Sequence, residues 1–159
     1  IQIRTIFSEG WHEVEHDLRY KCKEDWVGCE SHSRVLNGVI ATLETAEWNM
    51  KSLFDQMARV NYQNKNYRAM LRNKMRLRIK GEDMSTNIQE YLIQHPHVAE
   101  SILNTDRFIV ILTMLNHQKP IELTYDNLLY LINRIEMKDH GLSEMEPKNT
   151  RKMLDVFFA

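Results

Sequence analysis

Two sets of side chains in this sequence have types and spacings that could do chemistry. The first is His12-Glu13-Val14-Glu15-His16, an H-E-x-x-H string. On a helix that spacing sets two imidazoles on one face, able to ligate zinc, with the glutamate between them as the general base of a peptidase. Against a zinc peptidase stand Glu15 and Asp17, two carboxylates in a stretch such enzymes keep largely uncharged, and the lack of a following Gly and third His at the metzincin spacing. A further ligand would have to come from downstream, from Glu44 or Glu47. A looser set of His16, Cys22, Cys29 and His32 holds no C-x-x-C or H-x-x-x-H pair of the structural kind. The second set is basic. No acidic residue lies between Asp55 and Glu82, whereas Arg59, Lys65, Arg68, Arg72, Lys74, Arg76, Arg78 and Lys80 all do. A block this dense can attract phosphate or RNA although the chain as a whole carries only −1. Solvation on a helix face and pairing with the acidic flanks are its other uses. Tyr62 and Tyr67 are too few to make a stacking platform for bases.

The elements that must position these groups can be read from periodicity. Residues 1–7 alternate apolar and polar side chains, the pattern of a half-buried strand, which would need partners outside this stretch to satisfy its backbone. Ser8 can cap a helix in which Trp11, Val14, Leu18 and Cys22 recur at helical spacing, with Trp11 in the core. From Ser33 to about Gln63 a helical period runs through Leu36, Val39, Ile40, Leu43, Ala46, Met50, Leu53, Phe54 and Met57, predicting a helix about 45 Å long. The basic window reads as helix, with Lys65, Arg68, Arg72, Arg76 and Lys80 on one face. Three more helices are expected after Thr86, Thr105-Asp106 and Thr124, the first with a Thr86/Gln89 capping box and the third ending in a Gly141 cap. Pro96 and Pro120 mark helix ends, and a short last helix starts at Pro147. Phe108–Leu115 and Leu128–Ile135 are apolar on nearly every face and should form the bundle centre. The fold class expected is therefore mainly α, a helical bundle preceded by one strand and one helix.

The residues around the H-E-x-x-H string carry a more specific pattern. Gln2-Ile3-Arg4-Thr5, then Trp11, Glu15-His16 and Tyr20-Lys21 resemble the closing motif of RelA/SpoT-type alarmone synthetases. That motif reads E-x-Q-[IV]-R-T, a tryptophan six residues after the threonine, E-H four later, then Y-K. The likeness covers residues 1–21. It implies that residues 1–30 are the end of a synthetase domain of α/β nucleotidyltransferase type, and that residues 31–159 are an all-helical C-terminal domain. The family transfers pyrophosphate from ATP to the 3′-hydroxyl of GTP or GDP with Mg²⁺, whose ligands, an aspartate and the glutamate before this glutamine, would lie outside this chain. Phosphoryl transfer of this kind rests on positioning and on offsetting charge. By the same resemblance Gln2 is the catalytic-site residue, and Arg4, Glu9 and His12 are substrate-binding positions. Glu9 and His12 stand where small synthetases often have Asn and Ala reading the guanine edge. Glu9 could accept from guanine N1–H and the 2-amino group, while the bulkier His12 leaves GTP, ATP and the 3′ end of tRNA open as acceptors.

Composition is compatible with this. The 159 residues are 43% hydrophobic and 27% charged, with 21 Lys+Arg against 22 Asp+Glu, as in globular domains. Five Gly and three Pro are few, which argues against a barrel or sandwich of many short strands. No apolar run is long enough to span a membrane, and the opening residues do not have signal-peptide order. Cys22 and Cys29 read as reduced thiols, so a cytoplasmic setting is expected. The chain opens on Ile1, and the expectation is a piece of a longer pyrophosphokinase with an upstream catalytic domain, inactive alone. The alternative is a helical module that regulates the enzyme or docks substrate or RNA.

Overall fold

The computed structural model describes Gly10 and residues 12–79, 83–116 and 121–158. These residues are mainly helical, and no strand occurs among them. The strand expected at 1–7 lies outside the described residues. Gly10 and residues 12–13 are helical, and a π-helical segment, Val14–Tyr20, follows, then a 3-10 turn, Lys23–Trp26. The longest element is α1, Glu30–Gln63. After it come α2 (Tyr67–Met75), α3 (Thr86–Gln94), α4 (Pro96–Asn104), α5 (Arg107–Leu115), α6 (Tyr125–Ile132), a second π-helical segment (Asn133–Met137), α7 (His140–Met145) and α8 (Lys148–Phe158).

Packing divides the chain inside α1, into units 1–53 and 54–159. The boundary at residue 30 is the domain end that a resemblance over residues 1–21 implies and the one at 53 a change in packing, so neither decides the other. In the first unit, none of the described residues of the π-helical segment or 3-10 turn is buried. Leu18, expected on a core face, is 60% exposed. The segment is instead held by polar bonds: Trp26 Nε1 donates to the Leu18 carbonyl at 2.8 Å, and Arg19 donates to Asn37 on α1.

The second unit holds the core. Met70, Leu71 and Met75 of α2, Ile88 and Leu92 of α3, Val98, Ala99 and Ile102 of α4 and Leu128–Ile132 of α6 are all buried, and α2 and α3 both pack on α4. Side-chain caps start several helices: Asn66 accepts from Ala69 N at 3.2 Å, Asp106 from Phe108 N at 2.8 Å, Thr124 from Asn127 N at 3.1 Å, and Asp139 from Leu142 N at 2.8 Å. Each such cap contributes about 1 kcal/mol.

Several expectations are corrected. Among the described residues the stretch from Lys65 to Ile79 is helical only over Tyr67–Met75, because Lys65 (φ 56°) and Arg76 (φ 52°) adopt left-handed backbone that ends a helix at each side, while Arg59 belongs to α1 and Lys80 lies outside the described residues. Thr86 is the first helical residue, not the cap; Ser85 precedes it, and Gln89 Nε2 donates to the Met84 carbonyl at 2.6 Å. Pro96 ends α3 and also opens α4, where its fixed φ and missing N–H suit a first turn. Gly141 lies inside α7, and a Cβ there would come 2.1 Å from the Tyr91 hydroxyl, so the glycine serves a close approach. Leu128–Ile132 is the centre expected, but in α5 only Val110 is buried; Phe108, Ile109 and Leu115 are exposed.

Candidate functional site

Of the residues expected to act on substrate, Gln2, Arg4 and Glu9 lie outside the described residues, as does Trp11. His12 is described, and it begins a column. Its ring stacks on His16 with centroids 5.5 Å apart and planes 16° apart, and His16 stacks on Tyr20 at 5.9 Å and 17°. The column follows from the backbone. Residues four apart lie one above the other on the same face of a helix, and His16 and Tyr20 belong to the π-helical segment while His12 lies just before it. The i, i+4, i+8 spacing was visible in sequence; the π-helical segment over Val14–Tyr20 was not.

Charge pairs flank the column. Arg19 donates to Glu15 Oε2 at 3.2 Å, one helical turn away, and its second acceptor is Asn37. Arg19 thereby links Glu15 to Asn37 on α1. Asp17 lies 2.8 Å from Lys21 Nζ and 2.6 Å from His16 Nδ1. Its bond to Lys21, and then that to His16, holds the Asp17 carboxyl below the usual aspartate range. Beyond Tyr20 a cleft of about 500 Å³ is lined by Tyr20, Lys21, Cys22, Lys23, Glu24 and Asp25. Lys23 Nζ sits 4.3 Å above the Tyr20 ring. The end of the column therefore carries two lysines, one paired with Asp17 and one lying over the Tyr20 ring, beside the carboxylates of Glu24 and Asp25.

The metal readings do not assemble. Among the described residues no three His, Cys, Asp or Glu side chains form a group that could hold a metal ion. The imidazoles of His12 and His16 stack face to face, and His16 Nδ1 is engaged by Asp17. Nothing described fits Mg²⁺ either, and the resemblance places its ligands elsewhere. Cys22 and Cys29 are both free thiols.

In the second unit the basic block is partly neutralised by the acids at its two ends. Arg68 Nε lies 2.6 Å from Asp83, and Arg76 Nη1 lies 3.3 Å from Asp55. A denser cluster remains around Asp55. Burial, opposed by Asp55 and reinforced by Arg76 and Arg59, draws the Lys74 ammonium below the usual lysine range. Burial and Arg76 act likewise on Arg107, whose Nε donates to the Met75 carbonyl at 2.6 Å. Sequence reading missed Arg107, which lies outside the basic window and reaches it only through the fold. A second cleft, of about 370 Å³, is lined by Arg134, His140, Ser143, Glu144, Glu146 and Arg151. Its charges are paired internally: Arg134 donates to Glu146 through Nε at 3.1 Å and Nη2 at 2.7 Å. Among the described residues no helix is long and apolar enough to cross a membrane. No family model, no curated protein and no solved structure matches the chain.

Proposed function

We propose that residues 1–30 are the closing strand and helix of a RelA/SpoT-like nucleotide pyrophosphokinase domain and that residues 31–159 are its helical C-terminal part, working in the cytoplasm. One observation carries the reading: the run Gln2-Ile3-Arg4-Thr5, Trp11, Glu15-His16, Tyr20-Lys21 at the family's fixed spacings. Helical structure at Gly10 and over residues 12–20 is compatible with the second half of that motif. In this reading Gln2 and Arg4 end a strand beside the acceptor nucleotide. The Gln2 carboxamide can donate and accept without adding charge near phosphates, while the Arg4 guanidinium offsets phosphate charge. Glu9 and His12 sit along the base. His12, backed by His16, offers a ring face for stacking, while Glu15 and Arg19 keep the helix in place.

The family's ATP-binding segment and metal aspartate have no counterpart in these 159 residues, so the chain alone should not transfer pyrophosphate from ATP to GTP, GDP, ATP or tRNA. Joined to the residues encoded upstream, it should, and Gln2→Ala or Arg4→Ala should cut the rate at least ~100-fold, as loss of a group that stabilises transition-state charge does. Activity of the 159-residue chain, or none from the extended protein with any acceptor, would refute the proposal.

A second reading rests on the cluster of Arg59, Lys74, Arg76 and Arg107, which outnumber the nearby Asp55 and Asp106: the helical part docks a phosphate-rich partner such as RNA. Fluorescence anisotropy with a labelled RNA should then show binding that weakens steeply with salt, and Lys74→Ala should reduce the salt slope by about one. Salt-independent binding, or none, ends it.

A further inference from the structure

Helix α1 carries apolar residues that the fold leaves uncovered. Of its 34 residues only Ala58 is buried. Leu36, Val39, Leu43, Ala46, Met50, Leu53, Met57 and Val60 alternate spacings of three and four without a break, a heptad pattern sustained over eight positions. Leu36 and Leu43 are half-buried, but Val39 is 50% exposed, Met50 41%, Leu53 54%, Met57 40% and Val60 53%. A core-facing stripe would drift with the 3.6-residue period of a straight helix, whereas a strict 3.5-residue repeat keeps a seam aligned toward another helix.

We infer that this seam is a self-association surface, on which α1 of a second copy of the chain lies antiparallel. Three observations favour a second copy. First, charge permits it. The charged residues of the stretch, Glu44, Glu47, Lys51, Asp55 and Arg59, all fall off the seam, and the residues flanking its open side are Val35, Thr42, Asn49 and Gln56. Glu47, the charge nearest the seam, is only 15% exposed and lies 2.6 Å from Lys51. Two-fold symmetry forces no like charges together along that side, and on the other flank, where a two-fold axis near residue 48 brings Glu47 opposite Glu47 of the partner subunit, each carboxylate keeps its own Lys51 at 2.6 Å.

Second, the side-chain volumes fit in one register. With the two-fold axis near residue 48, Leu36 meets Val60 of the partner subunit, Val39 meets Met57 of the partner subunit, Leu43 meets Leu53 of the partner subunit, and Ala46 meets Met50 of the partner subunit. A small residue then faces a large one in most layers, the arrangement that fills a helix–helix core. A parallel pair would set Ala46 on Ala46 of the partner subunit and leave a void in mid-seam. Third, the area suffices. The 25-residue stretch is about 37 Å long, and a contact strip about 12–15 Å wide buries on the order of 500 Å² per copy, so the pair reaches about 1,000 Å², where specific interfaces begin.

The test is sedimentation equilibrium of the 159-residue chain at micromolar concentration. The expected species is a dimer of twice the 19.0 kDa chain mass. Met50→Glu and Leu53→Asp should each weaken association about 30-fold or more, as truncating a central contact does, with helical circular dichroism unchanged. Register is read by cross-linking in a Cys22→Ser/Cys29→Ser background. Asn49→Cys, next to the two-fold axis, should form a disulfide-linked dimer. Thr42→Cys should not link to itself but should link to Gln56→Cys when the two are mixed. A monomer, a dimer indifferent to Met50→Glu, or self-linking of Thr42→Cys would overturn the inference.

Discussion

Replacing Glu146 by alanine should destabilise the second unit by about 3 kcal/mol. Its side chain is only 5% exposed, and both carboxylate oxygens accept from Arg134, at 3.1 and 2.7 Å, with Arg151 Nε 3.6 Å away. Removing one partner of a buried pair costs about 3–5 kcal/mol because the other charge is left desolvated. Here the lower end applies. Arg134 is 22% exposed and keeps Asp155 at 2.6 Å. Asp155 is itself 60% exposed, so Asp155→Ala should cost about 1 kcal/mol or less. The assay is urea unfolding followed by circular dichroism at 222 nm. The tryptophans, Trp11, Trp26 and Trp48, all belong to the first unit and so report separately on it. In Arg134→Met/Glu146→Leu, where no charge is orphaned, the loss should be smaller than in Glu146→Ala. If Glu146→Ala costs no more than Asp155→Ala, or if the double variant is the worse, the reasoning from burial is wrong.

Gly141→Ala should cost about 2–3 kcal/mol. The new Cβ would meet the Tyr91 hydroxyl at 2.1 Å and ring carbons at 2.6 and 2.7 Å, forcing the ring off its 2.7 Å bond to Asp139; calorimetry would show a lowered Tm, and no loss would mean the helices separate freely there. The Tyr130 hydroxyl is pushed up to about 12 by burial and then by Asp126 and Glu146. Between pH 10 and 12 the unfolded chain loses this proton while the folded one keeps it, so stability falls as pH rises. The fall is at most about 3 kcal/mol, at about 1.4 kcal/mol per pH unit. Tyr130→Phe should flatten that part of a stability–pH curve, and an unchanged slope would contradict it. Lys65→Gly should stabilise by up to about 1 kcal/mol in denaturant unfolding, since Lys65 is exposed and held at φ 56°.

Where helices exist was largely legible, because a 3.6-residue period is written into side-chain type. Thr124 and Asp106 cap as their sequence contexts suggest. Which faces are buried was less legible. Leu36 to Val60 look alike whether they meet their own core or another chain, and the same ambiguity made α5 read as a bundle centre. Helix α4 was hidden because Pro96 reads equally as a stop and as a first turn. The two π-helical segments have no side-chain signature at all and could not be foreseen, whereas the shared face of His12, His16 and Tyr20 follows from their spacing. The candidate site was legible only as a spacing of residue types. Its Arg107 and Asp55 contributions depend on a fold that brings distant residues to Lys74.

The amide of Asn133, only 2% exposed, donates to the Asp139 carbonyl and to Ser143 Oγ, both at 3.0 Å, while its oxygen accepts from Asp139 N at 2.7 Å. One planar group thus reads the chain reversal between Met137 and His140 with donor and acceptor side by side. An aspartate there would present an acceptor to an acceptor, and a leucine would leave the Asp139 N–H without its acceptor while the Asp139 carbonyl kept Ser143. Position 133 therefore tolerates drift only toward side chains that keep both polarities, and hydrolysis of this single amide with age would undo the corner from within.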